Sequence, residues 1–162
     1  MIDILFISPG NASGIYQNLA DDYAAIEPPT WALLLAQSCR SIGHTVALID
    51  ANAEQLDKEE VEKRVKELNP RLICFVVYGQ NVNAGTVSMS GAVKLSSALK
   101  EAGISTPIGY IGSYVQALPK KSLIDEPSID IVFMNEGVYS LRNFDLRQEK
   151  KEGRTTCPKQ VL

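Results

Sequence analysis

The chain has 162 residues, of which 45% are apolar and 22% are charged, and its formal net charge is −3. These ordinary values exclude a disordered chain, and the lack of a basic, aromatic-rich segment excludes a nucleic-acid binder. No segment approaches the roughly 20 apolar residues that a membrane-spanning helix needs, and the N-terminus has no basic leader. We therefore expect one globular, cytoplasmic domain with no nucleic-acid or membrane partner.

Five short runs rich in β-branched residues predict strands at residues 2–7, 45–49, 72–78, 107–111 and 129–134. Between them, helical periodicity predicts helices at about 29–42, 58–68, 87–102 and 118–124. Local signals support these bounds: Pro28-Pro29 opens the first helix, Asp57 is a candidate N-cap of the second, and Gly43 and Gly103 follow the first and third.

Strands that alternate with helices predict a parallel sheet covered on both faces. The expected fold is a three-layer αβα sandwich of the flavodoxin-like, Rossmann-like class, with five parallel strands in the order 2-1-3-4-5. After about residue 142 the sequence is polar and charged, and no further strand is expected. We therefore predict a domain at residues 1–141, followed by a polar tail or truncated linker at 142–162.

In an open parallel sheet, ligands bind beyond the carboxyl ends of the strands. The loops there are rich in small and amide-bearing residues, which favours a large, mostly uncharged ligand over acid/base catalysis. The candidate binding residues are Ser8, Pro9, Gly10 and Asn11 after the first strand, Tyr78, Gly79, Gln80 and Asn81 after the third, Gly112, Ser113 and Tyr114 after the fourth, and Asn135, Glu136 and Gly137 after the fifth. We assign no catalytic residue and no protein metal ligand.

Several segments, in this order, resemble the cobalamin (vitamin B12)-binding domain of B12-binding radical-SAM proteins. They are PPTWALLLA at 28–36, GHTV at 43–46, LIDAN at 48–52, YIGSY at 110–114, ALP at 117–119 and NEG at 135–137. The resemblance covers roughly residues 1–141. It implies a corrin ring across the carboxyl ends of the strands, with the nucleotide tail displaced from cobalt and inserted beside the sheet, bordered by Gly112 and Ser113.

The departures from related domains are also informative. The cobalamin domain of the methionine-synthase type has D-x-H-x-x-G after its first strand, whereas this chain has Ser8, Pro9, Gly10 and Asn11 there. Its one histidine, His44, precedes the second strand, at the opposite edge, and is expected to be a turn residue. The resemblance therefore implies cobalt without a protein imidazole.

A radical-SAM partner is implied by the same resemblance, because its C-x-x-x-C-x-x-C cluster motif is missing from this chain. No iron–sulfur cluster is expected here, and the chain alone is not expected to catalyse a reaction. A homodimer stays open, since an absent partner domain can leave an apolar patch. Cys39 and Cys74 are expected to be reduced core residues.

The main alternative is a flavodoxin-like electron carrier that binds FMN, because residues 8–14 could cradle a phosphate and Tyr78 could stack on the flavin. A phosphorelay receiver is excluded because the required acidic pair, phosphoacceptor Asp and Lys are missing. A nucleotide-sugar or NAD enzyme is disfavoured, since no G-x-G-x-x-G or P-loop follows the first strand. Trp31 and Tyr16 could cover a corrin face, but a lone Trp at a helix start is expected in the core.

Overall fold

The computed structural model describes residues 1–10, 28–78, 82–144 and 159–162. Its strands are β1 (Ile2–Ser8), β2 (Val46–Asp50), β3 (Pro70–Val77), β4 (Ile108–Gly112), β5 (Ile131–Val132) and β6 (Gln160–Val161). Its helices are α1 (Thr30–Arg40), α2 (Lys58–Leu68), α3 (Val82–Glu101), α4 (Ser113–Ala117), α5 (Pro119–Asp125) and α6 (Val138–Asn143). A short 3₁₀ turn, Asn135–Gly137, lies between β5 and α6.

All six strands are parallel, in the order β2-β1-β3-β4-β5-β6. The predicted flavodoxin-like class and the order of the first five strands are therefore confirmed. The expectation that no strand follows the fifth is wrong, because β6 extends the sheet beside β5. Gln160 donates its backbone N–H to Asp130 and Leu162 donates to Val132, at 2.8 and 2.9 Å. The sequence did not predict β6 because a strand of two residues, joined to β5 through main-chain groups, is too short to show a hydrophobic pattern.

Alternate residues of each strand point to opposite faces of the sheet and build two separate cores. The core on one face packs β residues such as Ile7, Phe75 and Tyr110 against α2 and α3. The core on the other face packs residues such as Phe6 and Ile111 against α1 and α6. Both faces are thus covered, as a three-layer sandwich requires.

The helix ends follow local sequence signals. Helix α2 has the predicted bounds, and Asp57 accepts the Glu60 N–H at 2.8 Å while the Glu60 side chain accepts the Asp57 N–H, which is a capping box. Gly43 and Gly103 adopt φ of 96° and 80° after α1 and α3, as glycines in C-terminal turns do. Helix α4, directly after Gly112, was not predicted, because five residues are too short to show helical periodicity.

Candidate functional site

The strands end together at one edge of the sheet. The register pairs Ser8 with Asp50 and Val77 with Gly112, so the residues that follow β1, β3 and β4 emerge side by side. We call residues 8–10, 78, 112–114 and 134–137 the carboxyl rim. The sequence prediction placed its candidate residues at this edge, and those that the structure describes lie here. Asn11, Gly79, Gln80, Asn81 and also Tyr16 lie outside the described residues.

Two glycines of the carboxyl rim allow close approach between backbones. A Cβ added to Gly112 would lie 2.2 Å from the Val77 carbonyl oxygen, and one added to Gly10 would lie 2.9 Å from the Asn52 Cα. Both distances are far below van der Waals contact, so only glycine fits at either position. At Gly112 the missing side chain is thus required by the contact between β3 and β4. The prediction that Gly112 and Ser113 border a ligand stays a prediction.

The turn after β5 places three residues in succession at positive φ. Asn135, Glu136 and Gly137 have φ of 50°, 59° and 70°. The two non-glycine residues are exposed, whereas Gly137 is buried, and a Cβ there would lie 2.0 Å from Ile111 Cδ1. Left-handed backbone at non-glycine residues costs of order 1 kcal/mol each and is concentrated at functional sites. The turn therefore presents the Asn135 amide and the Glu136 carboxylate to solvent at the rim.

An aromatic pair lies at the carboxyl end of β3. The rings of Trp31, from the first turn of α1, and Tyr78 have centroids 5.0 Å apart and planes tilted by 32°. Gln116 of α4 donates its side-chain N–H to the Tyr78 hydroxyl at 2.5 Å. Burial raises the pKa of Tyr78, the nearby negative charge of Glu136 raises it further, and the hydrogen bond from Gln116 opposes both.

The expectation that Trp31 belongs to the core is wrong, since 39% of its surface is exposed. The physical reason is its position: Trp31 lies at the rim end of α1, beyond the last core layer, where it contacts Tyr78 instead of the sheet interior. Gln116 was missed altogether. A polar residue in an unpredicted five-residue helix carries no sequence signal that would join it to Tyr78.

The one histidine of the chain lies at the other end of the sheet. The His44 N–H donates to the Cys39 carbonyl in the turn before β2, and the next residue, Thr45, donates its backbone N–H to Asp3 Oδ2 at 2.8 Å. Backbone and side-chain hydrogen bonds from Thr45 lower the pKa of Asp3, with smaller contributions from Arg71 and His44. Because Asp3 is near the start of β1, His44 is confirmed at the amino end of the sheet.

Part-buried charges also lie at this amino end. Asp3 pairs with Arg71 at 3.3 Å, and Lys100 pairs with Asp130 at 2.8 Å. Asp130 Oδ2 also accepts the Ile108 N–H at 2.8 Å, where β4 begins. These ion pairs join the starts of the strands, whereas the described residues of the carboxyl rim include hydroxyl, amide and aromatic side chains and the carboxylate of Glu136.

Across the residues that the structure describes, no helix has both the length and the apolarity needed to cross a membrane. Within the same residues, no three His, Cys, Asp or Glu side chains gather into a group that could hold a metal ion.

Comparison with known proteins shows the family of this chain. No curated protein matches this chain. A family model described as "B12 binding domain" matches residues 18–145, which is more than half of the chain and includes the described rim residues after β3, β4 and β5. The match supports cobalamin binding and does not favour the FMN alternative. The chain therefore belongs to the B12-binding domain family.

Proposed function

We propose that this chain holds cobalamin base-off at the carboxyl rim, with no protein imidazole on cobalt, and serves a radical-SAM methyltransferase or a related enzyme. The radical-SAM domain is not part of this sequence. The chain itself contributes binding, orientation and shielding of the corrinoid. When bound, the corrinoid supplies methyl transfer or redox chemistry.

The position of His44 is the observation that carries the proposal. The chain has one histidine, and it lies beside Asp3, five residues before the rim residue Ser8 along β1. At about 3.3 Å per residue, these five steps span roughly 17 Å. An imidazole cannot cross that distance to a cobalt ion at the carboxyl rim. His44 would therefore not hold the cobalt of a cobalamin bound at the carboxyl rim.

The rim suits a ligand whose periphery is made of uncharged amides. The partly exposed Ser8 and Ser113 each have a hydroxyl that can donate and accept, and the exposed Asn135 adds an amide. Ser113 also begins α4, directly after the close contact at Gly112. Neutral hydrogen-bonding groups pair with corrin acetamides and propionamides without the desolvation penalty of a buried charge.

The two cysteines that the structure describes offer no site for an iron–sulfur cluster, which supports a separate cluster-bearing domain. An iron–sulfur cluster of the radical-SAM type requires three closely spaced thiolates. Cys39 and Cys74 are buried in the core between the sheet and α1, and burial raises the pKa of Cys39 to about 11 and that of Cys74 further. Both are therefore held as thiols at neutral pH, away from the rim.

The test of axial ligation is electron paramagnetic resonance of the protein loaded with cob(II)alamin, after visible titration with hydroxocobalamin has established binding. We expect a cobalt spectrum without nitrogen superhyperfine splitting, identical in the wild type and in His44→Ala. Splitting that disappears in His44→Ala would show a protein imidazole on cobalt. Splitting that persists in His44→Ala would show the base-on form. Either result overturns the proposed binding mode, and absence of binding overturns the function.

The proposed radical-SAM partner can be tested by examining the genes next to the one that encodes this chain. We expect an in-frame or adjacent coding sequence with C-x-x-x-C-x-x-C, whose purified product forms a complex with this chain in the presence of cobalamin. A genomic neighbourhood without that motif would count against the radical-SAM assignment while leaving cobalamin binding intact.

A further inference from the structure

Three elements bring their side chains together at one point of the carboxyl rim. Trp31 comes from the first turn of α1, Tyr78 directly follows β3, and Gln116 comes from α4. The two rings lie 5.0 Å apart, and Gln116 donates to the Tyr78 hydroxyl at 2.5 Å. The Tyr78 ring is thus supported on one side by an indole and fixed at its tip by an amide. These contacts are formed without a ligand, and a preformed surface lowers the entropy cost of binding.

The core does not account for this arrangement. Trp31 is 39% exposed, and the close-packed core under the rim on this face is made of other residues, among them Ile111 and Phe133. Tyr78 packs against the edge of that core and is partly exposed. The pair therefore presents aromatic surface at the end of the sheet where the strands terminate.

Polar groups beside the rings add direction to this surface. A tyrosine hydroxyl has one donor and two acceptor positions. Among the described residues, the Tyr78 hydroxyl has one hydrogen-bond partner, Gln116, from which it accepts. Its own O–H can therefore donate to a ligand. The carboxylate of Glu136 lies close enough to act on Tyr78 electrostatically. A carbonyl-bearing ligand with a positively charged centre fits such surroundings.

We infer that Trp31 and Tyr78, with Gln116 as the positioning residue, form an aromatic platform that contacts the corrin macrocycle. The inference rests on the cobalamin binding proposed above and assigns its contact surface. The macrocycle is favoured over the nucleotide tail because both rings lie beyond the carboxyl ends of the strands, whereas the described residues beside β4 on this face are closely packed. A Cβ on Gly109 there would lie 2.4 Å from the Phe133 ring.

The test compares dissociation constants for hydroxocobalamin and for cobinamide, which has the corrin ring but lacks the nucleotide tail. Visible absorption titration gives both constants for the wild type, Trp31→Ala and Tyr78→Ala. The matched control is Leu33→Ala, which removes another partly exposed apolar side chain, 50% exposed, from the same helix. Two residues along a helix place it about 200° from Trp31, on another side.

We expect Trp31→Ala and Tyr78→Ala each to weaken both ligands by about tenfold, as loss of a stacking surface does, with Leu33→Ala unchanged. Trp31→Phe should restore most of the affinity. Gln116→Leu should weaken binding about threefold and Tyr78→Phe about fivefold, because only Tyr78→Phe also removes the O–H that can donate to the ligand. The double variant should bind no more weakly than Tyr78→Phe, since both changes remove the same hydrogen bond. Urea unfolding of each ligand-free variant establishes that it is folded.

Trp31 also offers an independent readout, because it is the one tryptophan of the chain. Its emission should be quenched in step with the visible titration, by cobinamide as well as by cobalamin. If the wild type binds but Trp31→Ala binds equally well, the platform is wrong and the cobalamin function stands. If Trp31→Ala weakens cobalamin alone, the pair contacts the nucleotide tail and the inference is overturned. If the wild type binds neither corrinoid, the function fails and the platform with it.

Discussion

Replacement of Gly112 by alanine tests the contact on which the carboxyl rim is built. The new Cβ would lie 2.2 Å from the Val77 carbonyl oxygen and 2.8 Å from its carbon. The obstacle is backbone, held in register by the ladder between β3 and β4, and cannot rotate away as a side chain can. Overpacking of this kind costs about 1–3 kcal/mol. The φ of 158° and ψ of 168° lie in a region used almost only by glycine, which adds about 1 kcal/mol.

We therefore expect Gly112→Ala to lower the free energy of unfolding by about 2–4 kcal/mol. Gly103→Ala is the matched control, because Gly103 has φ of 80° but no atom within 4 Å of an added Cβ. It should cost about 1 kcal/mol, from backbone strain alone. Urea unfolding followed by far-UV circular dichroism measures both, provided that the m-value is unchanged. Equal losses in the two variants would refute the steric argument and show that β3 and β4 can separate at this point.

Two further predictions concern the buried groups. The Tyr110 hydroxyl donates to Ser96 at 2.7 Å, and the Ser96 and Ser128 hydroxyls are hydrogen-bonded at 2.8 Å. Ser96→Ala leaves two buried hydroxyls without this partner and should lower the free energy of unfolding by about 2–3 kcal/mol, whereas Tyr110→Phe should lower it by about 1 kcal/mol. The double variant should cost less than the sum in urea unfolding, and strict additivity would contradict the network. Burial raises the pKa of Cys39 from 9.0 to about 11, so folding disfavours the thiolate. The contribution of this thiol to the free energy of unfolding is therefore complete below pH 9 and is lost as the pH rises through 11, by about 3 kcal/mol. The decline should be smaller in Cys39→Ala, and an unchanged pH profile would show that Cys39 does not titrate in this range.

Most of the sheet could be predicted from the sequence, because its determinants are local. A buried strand is a short apolar run, and a helix such as α2 begins at a capping box and is amphipathic within eleven residues. The strand order follows from the handedness of the connections. The position of His44 away from the rim also follows, since a residue that precedes a strand lies at its amino end.

The shape of the rim was decided by tertiary packing. Trp31, Tyr78 and Gln116 are separated by 47 and 38 positions, as 78 − 31 and 116 − 78, and no local pattern joins them. At Gly112, the Val77 carbonyl from another strand occupies the space that a side chain would take. Strand β6 adds to the sheet through main-chain groups that any two residues can offer.

The sequence by itself thus determined the class of fold and the order of five strands, and it placed the candidate binding residues at one end of the sheet, because periodicity, caps and chain direction act over a few residues. Only the tertiary structure decided which side chains meet there. Contacts across the rim depend on how α1, β3 and α4 pack together. The sequence pattern of one segment does not show which residues of a distant segment it will contact.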